Sequence, residues 1–227
     1  PVAEASAVIE RLTGVKLPRS TLDREARRQG QRAQQQRTQQ DEQMRTAQGG
    51  PQVLPLPEKP FTLVIELDAW NIRERDDWGQ SQKRRAAGHE PQRWHWVYGG
   101  TCFRLDQRVE SARGRPRILS RGTVMTRQGV DGLREQLHAE ALRHGLAQAA
   151  KVLVVADGAV WIWNLTGDRF PQAEQRLDYY HASEHLWAVA HALHPADAAA
   201  AQAWVTPVLR KLQTGRAPAV LNDLRQL

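Results

Sequence analysis

An apolar run from Val152 to Ala156 ends directly in an aspartate, Asp157, which is followed by Gly158. Its length and composition predict a strand that is buried on both faces. A carboxylate at the tip of a buried strand loses hydration, so a cation or a set of hydrogen-bond donors must compensate its charge. The run therefore predicts an α/β fold in which a strand end carries a polar site.

Two further aspartates follow strand-like segments. Asp68 lies near the end of the apolar run Phe61 to Ala69, and Asp178 follows a short strand-like segment downstream of Asp157. Carboxylates at the ends of different strands are typical of a magnesium site, because Mg²⁺ prefers oxygen ligands. Asp68 and Asp157 are the predicted metal ligands, with Mg²⁺ or Mn²⁺ as the cofactor. Each aspartate taken alone also fits a turn or a helix cap.

Proline and glycine divide the chain into regions. Residues 49–60, GGPQVLPLPEKP, predict a linker, because prolines and glycines are concentrated there. Residues 1–48 before it are predicted to be helical, and residues 61–181 after it form the predicted core. An alanine-rich helical tail is expected over residues 182–227.

The N-terminal region has the outline of a helix-turn-helix: a short amphipathic helix, a turn at Gly14 and a basic helix that Ser20 or Thr21 can cap. Its Gln-rich continuation, residues 29–48, is expected to extend the helix or to be disordered. A structural or dimerising helical hairpin has the same outline. The predicted DNA-binding residues on the basic helix are Arg19, Arg24, Arg27 and Arg28.

Charge favours a nucleic-acid partner. The chain of 227 residues has a net charge of +7, and its pI is near 10.2. The segment Arg73–Arg127 holds 13 basic residues against 6 acidic ones. A solubilising surface would show the same excess. Within this segment the predicted phosphate contacts are Lys83, Arg84 and Arg85.

The cysteine content and hydropathy exclude several other classes. One cysteine, Cys102, excludes an internal disulfide and a zinc cluster built from cysteines, which fits a reducing cytoplasm. No apolar run reaches the roughly 18 residues that a membrane-spanning helix needs, so no membrane partner is expected.

The predicted order of elements is three strands, a helix, a strand, a loop, another strand and a helical tail. The short loops between the first three strands (61–69, 93–105 and 116–125) predict an antiparallel meander, followed by a helix over 129–146. This is the order of the ribonuclease H-like mixed-sheet fold, in which the first and fourth strands are neighbours. Asp68 and Asp157 are then expected to face each other although 89 positions separate them.

Three segments carry a family resemblance: ADGAVWIWN, FPQAEQRLDYYHASEHLW and AAAAQAWVTPVLRKLQTGRAPAVLNDLRQL. With them, the chain resembles the Kra-type bacterial insertion-sequence transposases, which are DDE enzymes with a ribonuclease H-like core. The resemblance extends from Leu12 onward, including the helix-turn-helix segment TGVKLPRSTLDR, and is most specific over Val154 to Trp187. It implies that residues 182–227 begin a helical insertion in the catalytic core.

The resemblance also implies roles for individual residues. Asp68 and Asp157 match the first and second catalytic aspartates, while Asp178 and His181 match an Asp-x-x-His signature that organises the site or contacts DNA. The family usually has glycine after the first aspartate, where this chain has Ala69. Its third carboxylate, a glutamate in a glycine- and serine-rich motif, has no match, because no glutamate follows Glu184.

The expected function is therefore that of a DNA transposase fragment, truncated before its last catalytic glutamate. It would bind transposon-end DNA and, when complete, cleave and transfer DNA strands by metal-dependent phosphoryl transfer. Its expected partners are duplex DNA (transposon ends and target) and further copies of itself, as a homodimer or higher oligomer. Its expected location is the cytoplasm, in association with the nucleoid.

Two other functions fit some of the same residues. With an incomplete set of carboxylates, the chain could be a relic that binds DNA without cutting it. His181, Glu184 and His185 also form the H-x-x-E-H pattern of a zinc peptidase, with two imidazoles one helical turn apart and a glutamate base. That site needs a downstream acidic ligand, for which the sequence has no candidate. An exposed helix start explains the two histidines equally well.

Overall fold

The structure, a computed structural model, describes residues 2–46, 53–73, 86–88, 94–111, 114 and 116–227. The chain divides into two compact units, Pro1–Gln52 and Val53–Leu227, and the boundary between them along the sequence falls inside the predicted linker. The predicted phosphate contacts Lys83, Arg84 and Arg85 lie outside the described residues. None of the helices in the described ranges is long and apolar enough to cross a bilayer.

The first unit is a pair of helices, α1 (Val2–Thr13) and α2 (Arg19–Thr46). Gly14 ends α1 with a φ of 70°, a left-handed conformation that glycine adopts without strain. The Ser6 hydroxyl donates a hydrogen bond of 3.0 Å to the carbonyl of Leu17, which ties the start of α1 to the connection. The Gln-rich segment is helical as far as Thr46, in line with the first of its two expected states.

The predicted cap of the basic helix is wrong. α2 begins at Arg19, so Ser20 and Thr21 lie within its first turn. The Pro18 carbonyl accepts the backbone hydrogen bond from Thr21 at 3.0 Å. Because proline favours the extended conformation before a helix and its carbonyl can start the helical hydrogen-bond series, α2 starts earlier than predicted.

Among its described residues, the second unit has seven strands and five helices. In chain order they are β1 (Thr62–Arg73), β2 (Trp94–Arg104), β3 (Arg108–Glu110), β4 (Pro116–Ile118), β5 (Arg121–Thr126), α3 (Gly129–Arg143), β6 (Lys151–Ala156), α4 (Val160–Arg169), β7 (Glu174–Leu177), α5 (Tyr179–Leu193), α6 (Ala198–Gln213) and α7 (Ala217–Arg225). Short 3₁₀ turns follow β2, at Leu105–Gln107, and α3, at Leu146–Gln148.

Five of these strands form one mixed sheet in the order β5-β2-β1-β6-β7. The pairs β5–β2 and β2–β1 are antiparallel, whereas β1–β6 and β6–β7 are parallel. The predicted α/β class is confirmed. The expected strand contact is confirmed as well, because β1, which contains Asp68, pairs with β6, which precedes Asp157. The remaining strands, β3 and β4, form a separate antiparallel pair.

Three expectations about local structure are corrected. The predicted strand 116–125 is two strands, because β4 pairs with β3 outside the main sheet and the chain turns at Leu119 before β5. The predicted loop after Asp157 contains α4, whose buried residues Ile162, Leu165 and Thr166 have helical spacing. β6 is fully buried on one face only: its other face, with Val155, is half-buried.

The helices α3 and α4 cover one face of the sheet. The core consists of apolar side chains from β1, from β6 and from the two helices; its fully buried members include Leu63, Ile65, Val154, Leu133, Leu137, Ile162, Leu165 and Phe170. Gly100 in β2 lets α3 approach closely, since a Cβ there would lie 2.7 Å from a methyl carbon of Leu137. The opposite face of the sheet carries Glu66, Asp68 and Asp157.

The helices α5, α6 and α7 enclose a second core. Its buried residues are Leu186, Ala190, Ala201, Val205, Val208 and Val220, with Trp187 and Trp204 packed against them. The side chain of Gln213 at the end of α6 donates a 2.7 Å hydrogen bond to the hydroxyl of Tyr179 at the start of α5. The first turn of α5 is thereby fixed to the end of α6.

We expect Gly100→Ala to lower the free energy of unfolding by about 1–3 kcal/mol, because Leu137 is fully buried and cannot move away from an added methyl group. Urea denaturation measures the change. Gly167→Ala, inside α4, is the control: a Cβ there meets no atom within 4 Å, so alanine should stabilise by about 0.5–1 kcal/mol. Equal effects of the two substitutions would contradict the close packing of α3 on β2.

Candidate metal centre

An acidic pocket of about 550 Å³ opens where β6 ends and beside the middle of β1, on the face of the sheet that α3 and α4 leave uncovered. The prediction that Asp68 lies near a strand end is wrong, because β1 continues to Arg73. Leu67, Val155 and Ala156 contribute to its lining. Among the described residues, its lining includes five carboxylates and one imidazole: Glu66, Asp68, Asp157, Asp178, Glu184 and His181. The four predicted metal-binding and site-organising residues, Asp68, Asp157, Asp178 and His181, are therefore brought together.

Strand register brings the two predicted metal ligands to the same side. In the parallel pair β1–β6, Leu67 is aligned with Ala156, and both side chains are buried beneath the sheet. Asp68 and Asp157 each come one residue later. Because side chains alternate between the faces of a strand, both carboxylates lie on the pocket side. Asp68 is also aligned with Gly99 of β2, which presents no side chain to it.

The aspartates also have local structural roles. Asp157 Oδ1 accepts a 2.9 Å hydrogen bond from the backbone N–H of Ala159 and so fixes the turn into α4. Asp178 Oδ1 accepts one of 3.1 Å from Tyr180 and caps α5. The backbone N–H of Asp178 donates to the carbonyl of Ala156 at 2.7 Å, which ties this cap to the end of β6. The turn interpretation is thus correct for Asp157, whose pocket position is additional to it, and wrong for Asp68, which lies inside β1.

Glu66 is a pocket residue that the sequence interpretation did not select. Its pKa is raised above the usual value, first because the surrounding protein displaces water and second because Asp178 carries a negative charge; Arg121 partly offsets both effects. The side chain itself stays open to solvent. The available sequence signal was its spacing, since Glu66 and Asp68 alternate along one strand and share a face.

The H-x-x-E-H residues lie on the first turns of α5. His181 Nε2 and His185 Nε2 are 3.1 Å apart, close to the roughly 3.3 Å between two nitrogens on one tetrahedral zinc. Glu184 is largely exposed, and its Oε2 lies 3.8 Å from His181 Nδ1. Among the described residues no third ligand is grouped with the two imidazoles. A hydrogen bond between the two imidazole rings accounts for the contact.

A different group of metal-binding side chains is close enough to share one ion. One ligand atom from each of Cys102, Glu140 and His144 lies within 4.8 Å of the others. The pocket carboxylates form no such tight group in the part of the chain that the structure describes, so an ion there would have to draw them together. The sequence interpretation missed this group, although Glu140 and His144 are spaced by one helical turn.

The predicted DNA-binding arginines of the first unit are on α2. Arg27 pairs with Asp23 at 3.1 Å and Arg28 with Glu25 at 3.4 Å. All four residues of these pairs are largely exposed, so the pairs contribute little to stability and can exchange for phosphate. Arg19 and Arg24 lie on the same helix.

Comparison of the chain with models of protein families and with curated proteins gives no match. The resemblance to transposases therefore stays a prediction. The proposed function depends instead on the acidic pocket, where the strand register brings several carboxylates together.

We expect Asp178→Asn to lower the pKa of Glu66, because removing a nearby negative charge makes ionisation easier. Asparagine still caps a helix, so α5 should persist. Carboxyl-carbon NMR of Glu66 as a function of pH measures the shift. Arg121→Gln should shift the pKa in the opposite direction, and Glu184→Gln, which changes a rim carboxylate, is the control with no expected change. An unchanged pKa of Glu66 in Asp178→Asn would disprove this account of the pocket.

Proposed function

We propose that the chain is part of a DNA transposase of the DDE type, with a ribonuclease H-like core that holds Mg²⁺ or Mn²⁺ in the acidic pocket. One observation carries the proposal: the parallel pairing of β1 with β6 brings Asp68 and Asp157 to neighbouring strand positions on one face. Residues that are 89 positions apart in the chain then share a pocket with Asp178 and His181.

The sheet order supports the ribonuclease H-like assignment. The large sheet has the order β5-β2-β1-β6-β7, so its first strand in the chain, β1, lies at the centre. The strands β1, β2 and β5 are antiparallel to their neighbours in this group, and β6 and β7 are parallel to β1. The sequence interpretation expected of that fold three antiparallel strands and a parallel fourth strand next to the first. Fold alone does not establish an activity, so the proposal depends on the residues that line the pocket.

The donor chemistry of the pocket fits a hard divalent cation. Five carboxylates of the described residues line it, and the pKa of Glu66 is raised, first by loss of hydration and second by repulsion from Asp178. A bound Mg²⁺ would relieve that repulsion through carboxylate oxygens, the ligands it prefers. When bound, a pair of such ions activates an oxygen nucleophile and neutralises charge on a reacting phosphate.

The protein residues around that centre have separate tasks. Asp68 and Asp157 would hold the ions, and each already has one oxygen oriented by a backbone N–H. Asp178 fixes the start of α5 against β6 and thereby positions His181 at the pocket wall. Glu66 and Glu184 are the candidates within this chain for the third carboxylate, because both line the same pocket.

DNA binding would involve the basic helix of the first unit. The arginines 19, 24, 27 and 28 of α2 lie on an exposed helical surface, where they can approach phosphates. Binding of this kind releases counterions, so affinity falls as salt rises. The proposed partners are duplex DNA and further copies of this chain bound to it, at the nucleoid.

We expect Asp157→Asn to weaken Mn²⁺ binding by about tenfold or more, because it removes a charged ligand from the pocket. Electron paramagnetic resonance of free Mn²⁺ during a titration measures the affinity. Asp197→Asn is the matched control, since Asp197 also accepts a backbone N–H, from Ala200 at 2.9 Å, but lies outside the pocket. Equal affinities of wild type and Asp157→Asn would remove the metal site from the proposal.

We expect duplex DNA to bind at low salt, with a steep loss of affinity as salt increases. The double substitution Arg24→Ala, Arg27→Ala should reduce the slope of log affinity against log salt by about 2, close to 0.9 for each lost phosphate contact. Fluorescence anisotropy with a labelled duplex measures the slope. Arg225→Ala, on α7, removes a positive charge elsewhere and should leave the slope unchanged. A chain that does not bind DNA at low salt would not be a transposase.

Two further measurements separate the alternatives. Mn²⁺-dependent nicking of DNA that Asp157→Asn abolishes would show that a carboxylate of this chain completes the catalytic set, whereas binding without nicking is the result expected of both an incomplete transposase and a non-catalytic relic. A zinc peptidase at the H-x-x-E-H pattern would hydrolyse peptides and lose both activity and a bound zinc in His181→Ala. The peptidase is the least favoured of the three, because the two histidines have no third ligand among the described residues.

A further inference from the structure

A second group of metal-binding side chains lies on the other side of the sheet, beneath the helices. Cys102 comes from β2, Glu140 comes from the last turn of α3, and His144 follows directly at the C-cap of that helix. All three are buried, with exposed fractions of 0%, 5% and 3%. A buried carboxylate and a buried imidazole in an otherwise apolar layer need partners that offset their lost hydration.

His144 is set up as a ligand. Its Nδ1 lies 3.1 Å from the backbone carbonyl oxygen of Glu140 and 3.5 Å from Oε1 of the same residue; the carbonyl can only accept, which assigns the proton to Nδ1. Nε2 then holds the lone pair. That atom is buried and has no hydrogen-bond partner among the described residues. A ring that donates one N–H to a carbonyl and presents its other nitrogen is the usual state of a metal-binding histidine.

Both oxygens of the Glu140 carboxylate have a defined position. Arg143 donates to its Oε2 at 3.0 Å, and Oε1 occupies the space that a side chain at position 122 would fill. A Cβ on Gly122 would lie only 2.1 Å from that oxygen. Gly122 on β5 is therefore what allows the carboxylate to reach this depth between α3 and the sheet.

We propose that Cys102 Sγ, a Glu140 carboxylate oxygen and an imidazole nitrogen of His144 bind a divalent transition-metal ion of the zinc class. Thiolate and imidazole ligands favour Zn²⁺ over Mg²⁺, which prefers oxygen. One thiolate and one carboxylate neutralise the two positive charges of the ion, so the buried site carries no net charge apart from Arg143. The ion would link β2 to α3, and its loss would loosen the helix-covered core.

This site is independent of the acidic pocket and of the transposase proposal. The pocket offers oxygen ligands on the open face of the sheet, whereas this group contains the single cysteine of the chain on the covered face. A thiolate signature therefore distinguishes the two sites. Without a metal, the same residues would form a hydrogen-bonded network of Glu140, Arg143 and His144, and this is the competing outcome of the test.

The test is a titration of the full chain, stripped of metal by a chelator under reducing conditions, with Co²⁺ as the probe. We expect one equivalent of Co²⁺ to produce a thiolate-to-cobalt charge-transfer band in the near ultraviolet, and one equivalent of Zn²⁺ to abolish it. The Zn²⁺-loaded chain should melt at a higher temperature than the stripped chain. Absence of the band from the wild type overturns the proposal without reference to any variant.

Variants assign the ligands. Cys102→Ser should lose the band, and His144→Gln should weaken Co²⁺ binding by at least tenfold, with folding of each checked by circular dichroism. His138→Gln is the matched control on the same helix, because His138 packs against Phe170 and is not one of the three ligands. Asp157→Asn should keep the band. Retention of the band in Cys102→Ser, or its loss in Asp157→Asn, would overturn the assignment.

Discussion

The parallel pairing of β1 with β6 is the contact on which the rest of this molecule depends. It aligns Leu67 with Ala156 in the core and brings the following residues, Asp68 and Asp157, to one pocket. Burial of the apolar pair fixes the register, because a slip of one residue would turn apolar side chains to solvent and the aspartates inward. Burial of these apolar side chains therefore determines where the carboxylates lie.

Much of this arrangement could be predicted from the sequence. The apolar runs that precede Asp68 and Asp157 predicted the two central strands, and the order of elements predicted that they would be neighbours. Asp178 and His181 were found through an Asp-x-x-His pattern, and they line the same pocket. Local periodicity and strand order are properties of the chain itself, which is why these predictions succeeded.

Other features depend on tertiary contacts that periodicity cannot reveal. α4 was predicted as a loop because its glycine and polar residues obscured the helical spacing of Ile162 and Leu165. The group of Cys102, Glu140 and His144 combines a strand with a helix, and only their packing brings these residues together. The raised pKa of Glu66 likewise depends on burial and on Asp178, which is distant in sequence.

α5 belongs to two parts of the second unit at once. Its first turn is fixed to β6 through Asp178 and presents His181 to the acidic pocket, while its later residues, such as Leu186, form the second core with α6 and α7. A helix is stiff along its axis, so a tilt imposed by the C-terminal helices is transmitted to its first turn. The packing of Val205 and Val220 is consequently a mechanical determinant of the pocket's shape, although neither side chain contributes to its lining.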